Sequence, residues 1–144
     1  MKKLLAMLLV AGSLAMTACK PTNYTASETK TKMQGSGYTV QTYTYAEAKD
    51  GLQIRNLNYQ TAVFENALYA EKGTGDDKDL LLAFFFSTID QAEKFVSDNN
   101  YENMGLMKDF GENNLGSKLG TPRVGNHNNV AYVGSETTFN VAFD

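Results

Sequence analysis

Residues with the usual catalytic chemistry are scarce in this chain, which contains one cysteine, Cys19, and one histidine, His127. A serine triad places a histidine between the nucleophile and an acid, and its serine often lies in a Gly-x-Ser-x-Gly turn, a pattern that this sequence lacks. His127 lies among asparagines in a predicted hairpin turn, where a histidine is usually solvated. We therefore expect no catalytic residue at this position and no enzymatic activity.

The best candidate for a metal site is the turn Lys72–Asp79, which contains Asp76, Asp77 and Asp79. Calcium prefers clustered oxygen ligands, but the spacing does not match an EF-hand loop and the terminal glutamate is missing. Zinc would need several histidine or cysteine ligands, and Gly73-Thr74-Gly75 lacks the third glycine of a dinucleotide-binding loop. The sequence therefore predicts a solvated hairpin turn, with no metal and no cofactor.

The first eighteen residues have the pattern of a secretory signal. Two lysines follow Met1, and Leu4 to Met16 is a run of apolar and small residues. This run is too short to span a bilayer, which takes about 20 residues. The segment is therefore expected to direct export and to be removed.

Cys19 directly follows Met16-Thr17-Ala18, and this junction resembles a bacterial lipobox. In a lipobox the cysteine takes a diacylglyceryl group on sulfur and becomes the N-terminus after cleavage; Met16 stands where leucine is usual. The alternative is a plain secretory signal, cleaved after Ala18, with a free thiol. Lipidation accounts for a lone cysteine in an exported protein, and several acyl chains on one residue anchor firmly. We expect Cys19 to anchor the chain to the extracytoplasmic face of the cell membrane.

The remaining chain is acidic and long enough for one domain. Removing residues 1–18 removes two of the 13 basic residues, so 11 basic and 16 acidic residues give a net charge of −5. This balance argues against a nucleic-acid partner. We assign residues 1–18 to the signal peptide, 19–24 to the lipid anchor and a short tether, and 25–144 to a single domain.

The predicted core is the apolar run Leu80–Phe86, followed at once by a helix start. The run indicates a buried strand, and Thr88 with Gln91, or Ser87 with Asp90, can cap the helix. A break is expected at Asp98-Asn99-Asn100. The apolar residues that share one helical face are Ile89, Ala92, Phe95 and Val96.

The other patterns predict an α+β domain, in which about five antiparallel strands carry two or three helices on one face. The capping box at Thr25–Glu28 predicts a short helix, and Ser135–Asp144 is ambiguous, with strand favoured. Leu52–Gln60 fits neither period. The further elements are a strand over Tyr38–Tyr45, a helical turn over Ala46–Asp50, a strand over Thr61–Glu71 that forms a hairpin with the core strand, and a second hairpin around Gly125–Asn128.

Tyrosines form the best candidate for a binding surface. They are large and amphipathic, so they could line a groove for a sugar or a peptide, although strands favour tyrosine for structural reasons as well. The residues concerned are Tyr38, Tyr43, Tyr45, Tyr59, Tyr69, Tyr101 and Tyr132.

The order of these features resembles the small uncharacterised lipoproteins of low-GC Gram-positive bacteria. Besides the signal and lipobox, the resemblance rests on Gly37-Tyr38-Thr39-Val40, Ala92-Glu93-Lys94-Phe95 and Arg123-Val124-Gly125-Asn126. It implies an α+β domain on the outer face of the cell membrane and no particular activity. Those proteins tend to end in a further amphipathic helix.

Two functions fit these features. The first is a membrane-tethered binding or interaction module for an extracellular peptide, glycan or protein, and it predicts a concave patch of exposed tyrosine or phenylalanine. The alternative is a structural or regulatory accessory lipoprotein of an envelope complex. It predicts a flat apolar patch of several hundred Å², larger than a typical monomer exposes.

Overall fold

The computed structural model of the chain describes residues 22–51 and 63–144, with side chains except at 49–51 and 98–102. The regular elements of these residues are one sheet of five strands, four α-helices and two short 3-10 turns. In chain order they are α1 (Ala26–Gly35), β1 (Thr39–Thr44), α2 (Tyr45–Gly51), β2 (Asn66–Lys72), the 3-10 turn Gly75–Asp77, β3 (Asp79–Phe85), α3 (Ile89–Asn114), the 3-10 turn Ser117–Leu119, β4 (Arg123–His127), β5 (Val130–Gly134) and α4 (Glu136–Phe143).

The five strands form one antiparallel sheet in the order β1-β2-β3-β5-β4. The predicted α+β class and both predicted hairpins are confirmed. The turn of the second hairpin consists of Asn128 and Asn129, so Gly125 belongs to β4 and not to the turn. β3 is the central strand, because β2 pairs with it on one side and β5 on the other.

Both faces of β3 are buried, and this determines where the helices lie. Leu82 and Phe84 join a cluster with α2 and α3, whereas Leu81 and Phe85 join a second cluster with α1 and α4. Helices therefore cover both faces of the sheet, in contrast to the single helical layer that the sequence predicts. All seven residues of β3 are buried, since a strand between two helical layers has no solvated face.

Helix α3 begins at the predicted cap and bends where a break is expected. The Thr88 hydroxyl accepts a hydrogen bond from the Gln91 backbone N–H at 3.2 Å. Asn103 Nδ2 donates to the Phe95 carbonyl oxygen at 2.9 Å, although residues eight positions apart lie about 12 Å apart along a straight helix. The helix axis therefore changes direction between Phe95 and Asn103, while the backbone remains helical through residues 98–100.

The C-terminal segment is a helix, so the prediction of a strand over Ser135–Asp144 is wrong. The Ser135 hydroxyl accepts a hydrogen bond from the Thr138 backbone N–H at 3.0 Å, and the Thr138 hydroxyl donates to the Leu80 carbonyl oxygen at 3.0 Å. Gly134 permits this close approach, because a Cβ there would lie 2.6 Å from Thr138 Oγ1 and 2.7 Å from the Leu80 oxygen. The cap and this tertiary hydrogen bond outweigh the strand-like alternation of the segment.

Two capping boxes start the helices on either side of β1. The Thr25 hydroxyl accepts from the Glu28 N–H at 3.2 Å, which confirms the predicted start of α1. A second box starts α2, where Thr44 Oγ1 accepts from the Glu47 N–H at 3.3 Å and Glu47 Oε2 accepts from the Thr44 N–H at 2.8 Å. The ambiguous segment Leu52–Gln60 lies outside the described residues.

Candidate functional site

The strand directions give the domain two distinct ends. The Asn129 end contains the β4–β5 turn, the start of α3 and the last residues of α4. The Asp79 end contains the β2–β3 turn and the segment after α3, where the Gly116 N–H donates to the Lys78 carbonyl oxygen at 2.7 Å. The first described residues of the chain lie at the Asn129 end.

The N-terminal segment is fixed to the sheet by two asparagines, and we call this arrangement the N-terminal clamp. Asn129 Oδ1 accepts from the Tyr24 N–H at 2.7 Å, while its Nδ2 donates to the carbonyl oxygens of Tyr24 at 2.9 Å and Phe86 at 2.8 Å. Asn128 Nδ2 donates to the Thr22 carbonyl oxygen at 2.9 Å. Asn129 is only 3% exposed; its hydrogen bond to Phe86 is buried, and its two hydrogen bonds to Tyr24 are partly buried.

The Tyr24 side chain links the same segment to α4 and to His127. Its hydroxyl donates to the Phe143 carbonyl oxygen at 2.9 Å and lies 3.2 Å from His127 Nε2. A phenol has one proton, and the carbonyl can only accept it, so His127 Nε2 must carry the hydrogen of the second bond. The His127 ring also packs against the Phe139 ring, with centroids 5.2 Å apart. The prediction of a solvated turn histidine is therefore wrong, because His127 ends a strand and is half-buried among aromatic rings.

A shallow groove of about 470 Å³ lies beside the clamp, between the N-terminal segment, α1 and the last turn of α4. Thr22 and Tyr24 form one wall, Glu28 and Lys32 of α1 line another, and Ala142 of α4 closes the groove. Its volume is within the range of small-ligand sites. Hydroxyl groups and one charge of each sign are the groups that this groove offers to a polar ligand.

The predicted tyrosine-lined groove is not found among the described residues. Tyr38 and Tyr132 are buried between the sheet and α1 or α4, whereas Tyr43, Tyr45 and Tyr69 are half-buried on the opposite face, against α2 and α3. The side chains of Tyr59 and Tyr101 lie outside the described residues. The tyrosine that does line a groove is Tyr24, and the sequence signal that could have revealed it is its position directly before the Thr25 cap.

The aspartates of the β2–β3 turn point in different directions. Asp79 is buried and accepts a hydrogen bond from the Tyr38 hydroxyl at 2.7 Å. Asp77 forms an exposed ion pair with Lys118 at 3.1 Å. Within residues 22–51 and 63–144, no three histidine, cysteine, aspartate or glutamate side chains are grouped so that they could hold a metal ion.

The free energy of unfolding is expected to decrease at alkaline pH because the neutral phenols of Tyr38 and Tyr132 are buried and that of Tyr69 is half-buried. Burial raises the pKa of each of them, and the hydrogen bond to Asp79 raises that of Tyr38 further. In the unfolded chain tyrosine ionises near pH 10. Above that pH the unfolded chain therefore binds fewer protons than the folded one, so stability falls as pH rises from about 10.

Urea unfolding at about pH 9 and about pH 11 measures this dependence. The Tyr38→Phe variant should lose less stability between these two pH values than the wild type, because one of these three phenols is gone. Equal losses in both proteins would contradict this role of Tyr38.

Exposed apolar surface is limited in the described part of the chain. Its one large hydrophobic side chain that stands out to solvent is Val63, which is 59% exposed. Neither a concave patch of exposed aromatic residues nor a broad flat apolar patch is present among these residues. In the same ranges, no helix has both the length and the apolar character to cross a bilayer.

A comparison with protein-family models, curated proteins and solved structures finds no match to this chain. Cys19, the predicted lipidation site, lies outside the described residues. The described residue of the clamp closest to it in sequence is Thr22, three positions later.

Proposed function

We propose that this chain is a lipid-anchored interaction module on the extracytoplasmic face of the cell membrane, with Cys19 as the lipidated residue. The N-terminal clamp is the observation that supports this function most directly. It holds the chain to the domain from Thr22 onward, so only Lys20 and Pro21 separate the clamped segment from Cys19. Because the chain is fixed to the sheet this close to Cys19, the position of an anchor at Cys19 determines the position of the whole domain.

The clamp also sets the distance between the domain and the anchor. Three residues of extended chain span at most about 11 Å, so the Asn129 end stays within this distance of the lipidated residue. Seven residues of β3 span roughly 23 Å. In the proposed arrangement the Asn129 end faces the membrane, and partners approach from the Asp79 end or from the sides of the sheet.

The surface chemistry favours recognition by hydrogen bonds over recognition by apolar contact. The proposed mature chain has a net charge of −5, from 11 basic and 16 acidic residues, and such a charge does not attract nucleic acid or anionic lipid. The described surface has neither the concave aromatic patch expected of a binding module nor the flat apolar patch expected of an accessory subunit, so apolar contact supports neither function. A peptide, glycan or protein bound through polar groups fits the described surface better.

The Cys19→Ser variant tests the anchor. Loss of the acyl chains should release the protein into the medium or leave the precursor uncleaved, whereas the wild type should remain in the membrane fraction. A matched control is the double variant Cys19→Ser, Thr22→Cys, which retains one cysteine but moves it away from the small residues before position 19. Normal processing with membrane retention in Cys19→Ser would contradict the proposal, and retention in the double variant alone would show that the position of the cysteine does not matter.

A further inference from the structure

The hydrogen bonds at the end of β1 reveal which of its backbone groups point away from the sheet. The Thr44 N–H donates to the Glu47 carboxylate and so faces away from β2, whereas the Tyr43 carbonyl oxygen accepts from Asn66 Nδ2 of β2. In an antiparallel pair, successive residues face alternately toward and away from the partner strand. The N–H and C=O groups of Val40 and Thr42 therefore point outward, on the side of β1 that no described strand covers.

This edge has few of the features by which proteins usually prevent strand addition. β1 pairs with β2 at six consecutive positions without a bulge, and Thr39–Thr44 contains no charged residue and no proline. The other edge strand, β4, is shorter and carries Arg123 and His127. No hydrogen bond from another described residue reaches the outward groups of Val40 or Thr42.

We infer that the outer edge of β1 binds an extended peptide segment of a partner protein as an additional antiparallel strand. This inference rests on the proposed function and specifies its partner class. Val40 and Thr42 offer two donors and two acceptors at the two-residue repeat of a strand, about 6.8 Å. An extended polypeptide backbone has the matching groups at the same repeat, and strand addition of this kind needs no exposed apolar patch.

The charges at the two ends of β1 indicate which charged residues an antiparallel segment would carry. Glu47 lies beside Thr44, and two hydrogen bonds from Thr44 lower the pKa of its carboxyl group, which keeps it negative. At the other end, Lys72 Nζ donates to the Ser36 carbonyl oxygen at 2.9 Å. An antiparallel segment starts beside Thr44 and ends beside Thr39. Glu71, the register partner of Thr39, is neutralised by an ion pair with Lys78 at 3.1 Å, so a basic residue at the start of the segment and an acidic residue at its end complement Glu47 and Lys72.

A second copy of the chain fits this edge poorly. Antiparallel pairing of two β1 strands would turn the Asn129 end of one copy away from a membrane in which both copies are anchored. Parallel pairing would keep both anchors on the same side, but it would bring the Glu47 carboxylates of the two copies close together at the Thr44 ends of the paired strands. Like charges so close to one another disfavour the contact, so the partner is a different chain.

The test uses the full chain, purified in detergent, and a synthetic seven-residue peptide of alternating threonine and valine with lysine first and glutamate last. Binding is measured by amide chemical shifts. At about 1 mM peptide, where a millimolar Kd is detectable, shifts are expected at Val40 and Thr42. The peptide with its two charged residues exchanged should bind more weakly.

Two matched changes separate strand addition from other modes of binding. Thr42→Pro removes an outward N–H that the β1–β2 ladder does not use, and it should weaken binding at least about tenfold, whereas Thr42→Val keeps the N–H and should bind as the wild type does. If Thr42→Pro fails to fold, a peptide N-methylated at alternate positions removes the same hydrogen bonds and leaves the protein unchanged.

Absence of shifts at β1 with the unmodified peptide would overturn the inference. Binding of the N-methylated peptide as tight as that of the unmodified peptide would also overturn it. So would sedimentation of the protein as a dimer that Thr42→Pro converts to a monomer. Each of these results is independent of where Cys19→Ser is found in the cell, so failure of this inference is distinguishable from failure of the lipid anchor.

Discussion

Replacing Phe95 by alanine is expected to lower the free energy of unfolding by about 3–5 kcal/mol. The Phe95 ring is fully buried, and its centroid lies 5.3 Å from that of Phe84 and 5.3 Å from that of Phe86. Truncation would leave a cavity between α3 and the central strand, which the surrounding rings fill only in part. The loss is a large share of the 5–15 kcal/mol that stabilises a typical domain, and urea unfolding at neutral pH measures it.

Phe85 provides the matched test on the other face of the sheet. It is 2% exposed and belongs to the cluster with α1 and α4, so Phe85→Ala should cost a similar 3–5 kcal/mol. The two losses should add within about 0.5 kcal/mol if the sheet separates two independent layers. Val63→Ala, at an exposed site, serves as the control and should change stability by less than about 0.5 kcal/mol. A loss below about 1 kcal/mol in both phenylalanine variants would contradict the two-layer core.

Replacing Asn129 by alanine is expected to cost about 2–4 kcal/mol and to release the N-terminal segment. The change removes three hydrogen bonds of a buried side chain and leaves the Phe86 carbonyl oxygen without its side-chain partner in a buried site. The amide hydrogen of Tyr24, now bonded to Asn129, should exchange with solvent much faster in the variant. Hydrogen exchange at Tyr24 therefore measures the clamp separately from the global stability.

Asn128→Gly is the control for the clamp. Asn128 has a φ of 49°, a conformation that glycine adopts without strain, and its hydrogen bond to Thr22 is exposed. The change should cost less than about 1 kcal/mol and leave the Tyr24 amide protected. Unchanged protection of Tyr24 in Asn129→Ala would mean that other contacts, such as the hydroxyl bond to Phe143, hold the segment in place.

The elements that the sequence predicts correctly are those whose signals are local. The run Leu80–Phe86 identifies the central strand, and Thr88 with Gln91 marks the start of α3, since a cap and its helix are neighbours in sequence. The capping box at Thr25 works for the same reason. Both hairpins follow from apolar stretches separated by glycine and asparagine. The fold class follows from the order of these elements.

The features that the sequence did not predict depend on distant residues. Ser135–Asp144 alternates like a strand, but Thr138 bonds to Leu80, which is 58 positions away. The second helical layer had one sequence signal, because an unbroken apolar run such as Leu80–Phe86 indicates burial on both faces. The face of the sheet that each helix covers depends on contacts between distant elements, which the sequence pattern of a single helix does not reveal.

The candidate sites also differ in whether their sequence signals are local or depend on distant residues. Cys19 is predicted from a contiguous motif, and that prediction stands on the sequence alone. The clamp joins Tyr24 to Asn129, 105 positions later. The sequence around either residue gives no indication that the two are in contact. The outward orientation of Val40 and Thr42 follows from the register with β2 and from the cap at Thr44, so it required the three-dimensional arrangement.

The most direct test of the lipid-anchored function is the intact mass of the protein isolated from its membrane fraction, with fragmentation of the N-terminal peptide. The proposal predicts a mature chain that begins at Cys19 and carries a diacylglyceryl group on its sulfur. A mature chain that begins at Cys19 with an unmodified thiol, or one that retains Met1 as its first residue, would contradict it.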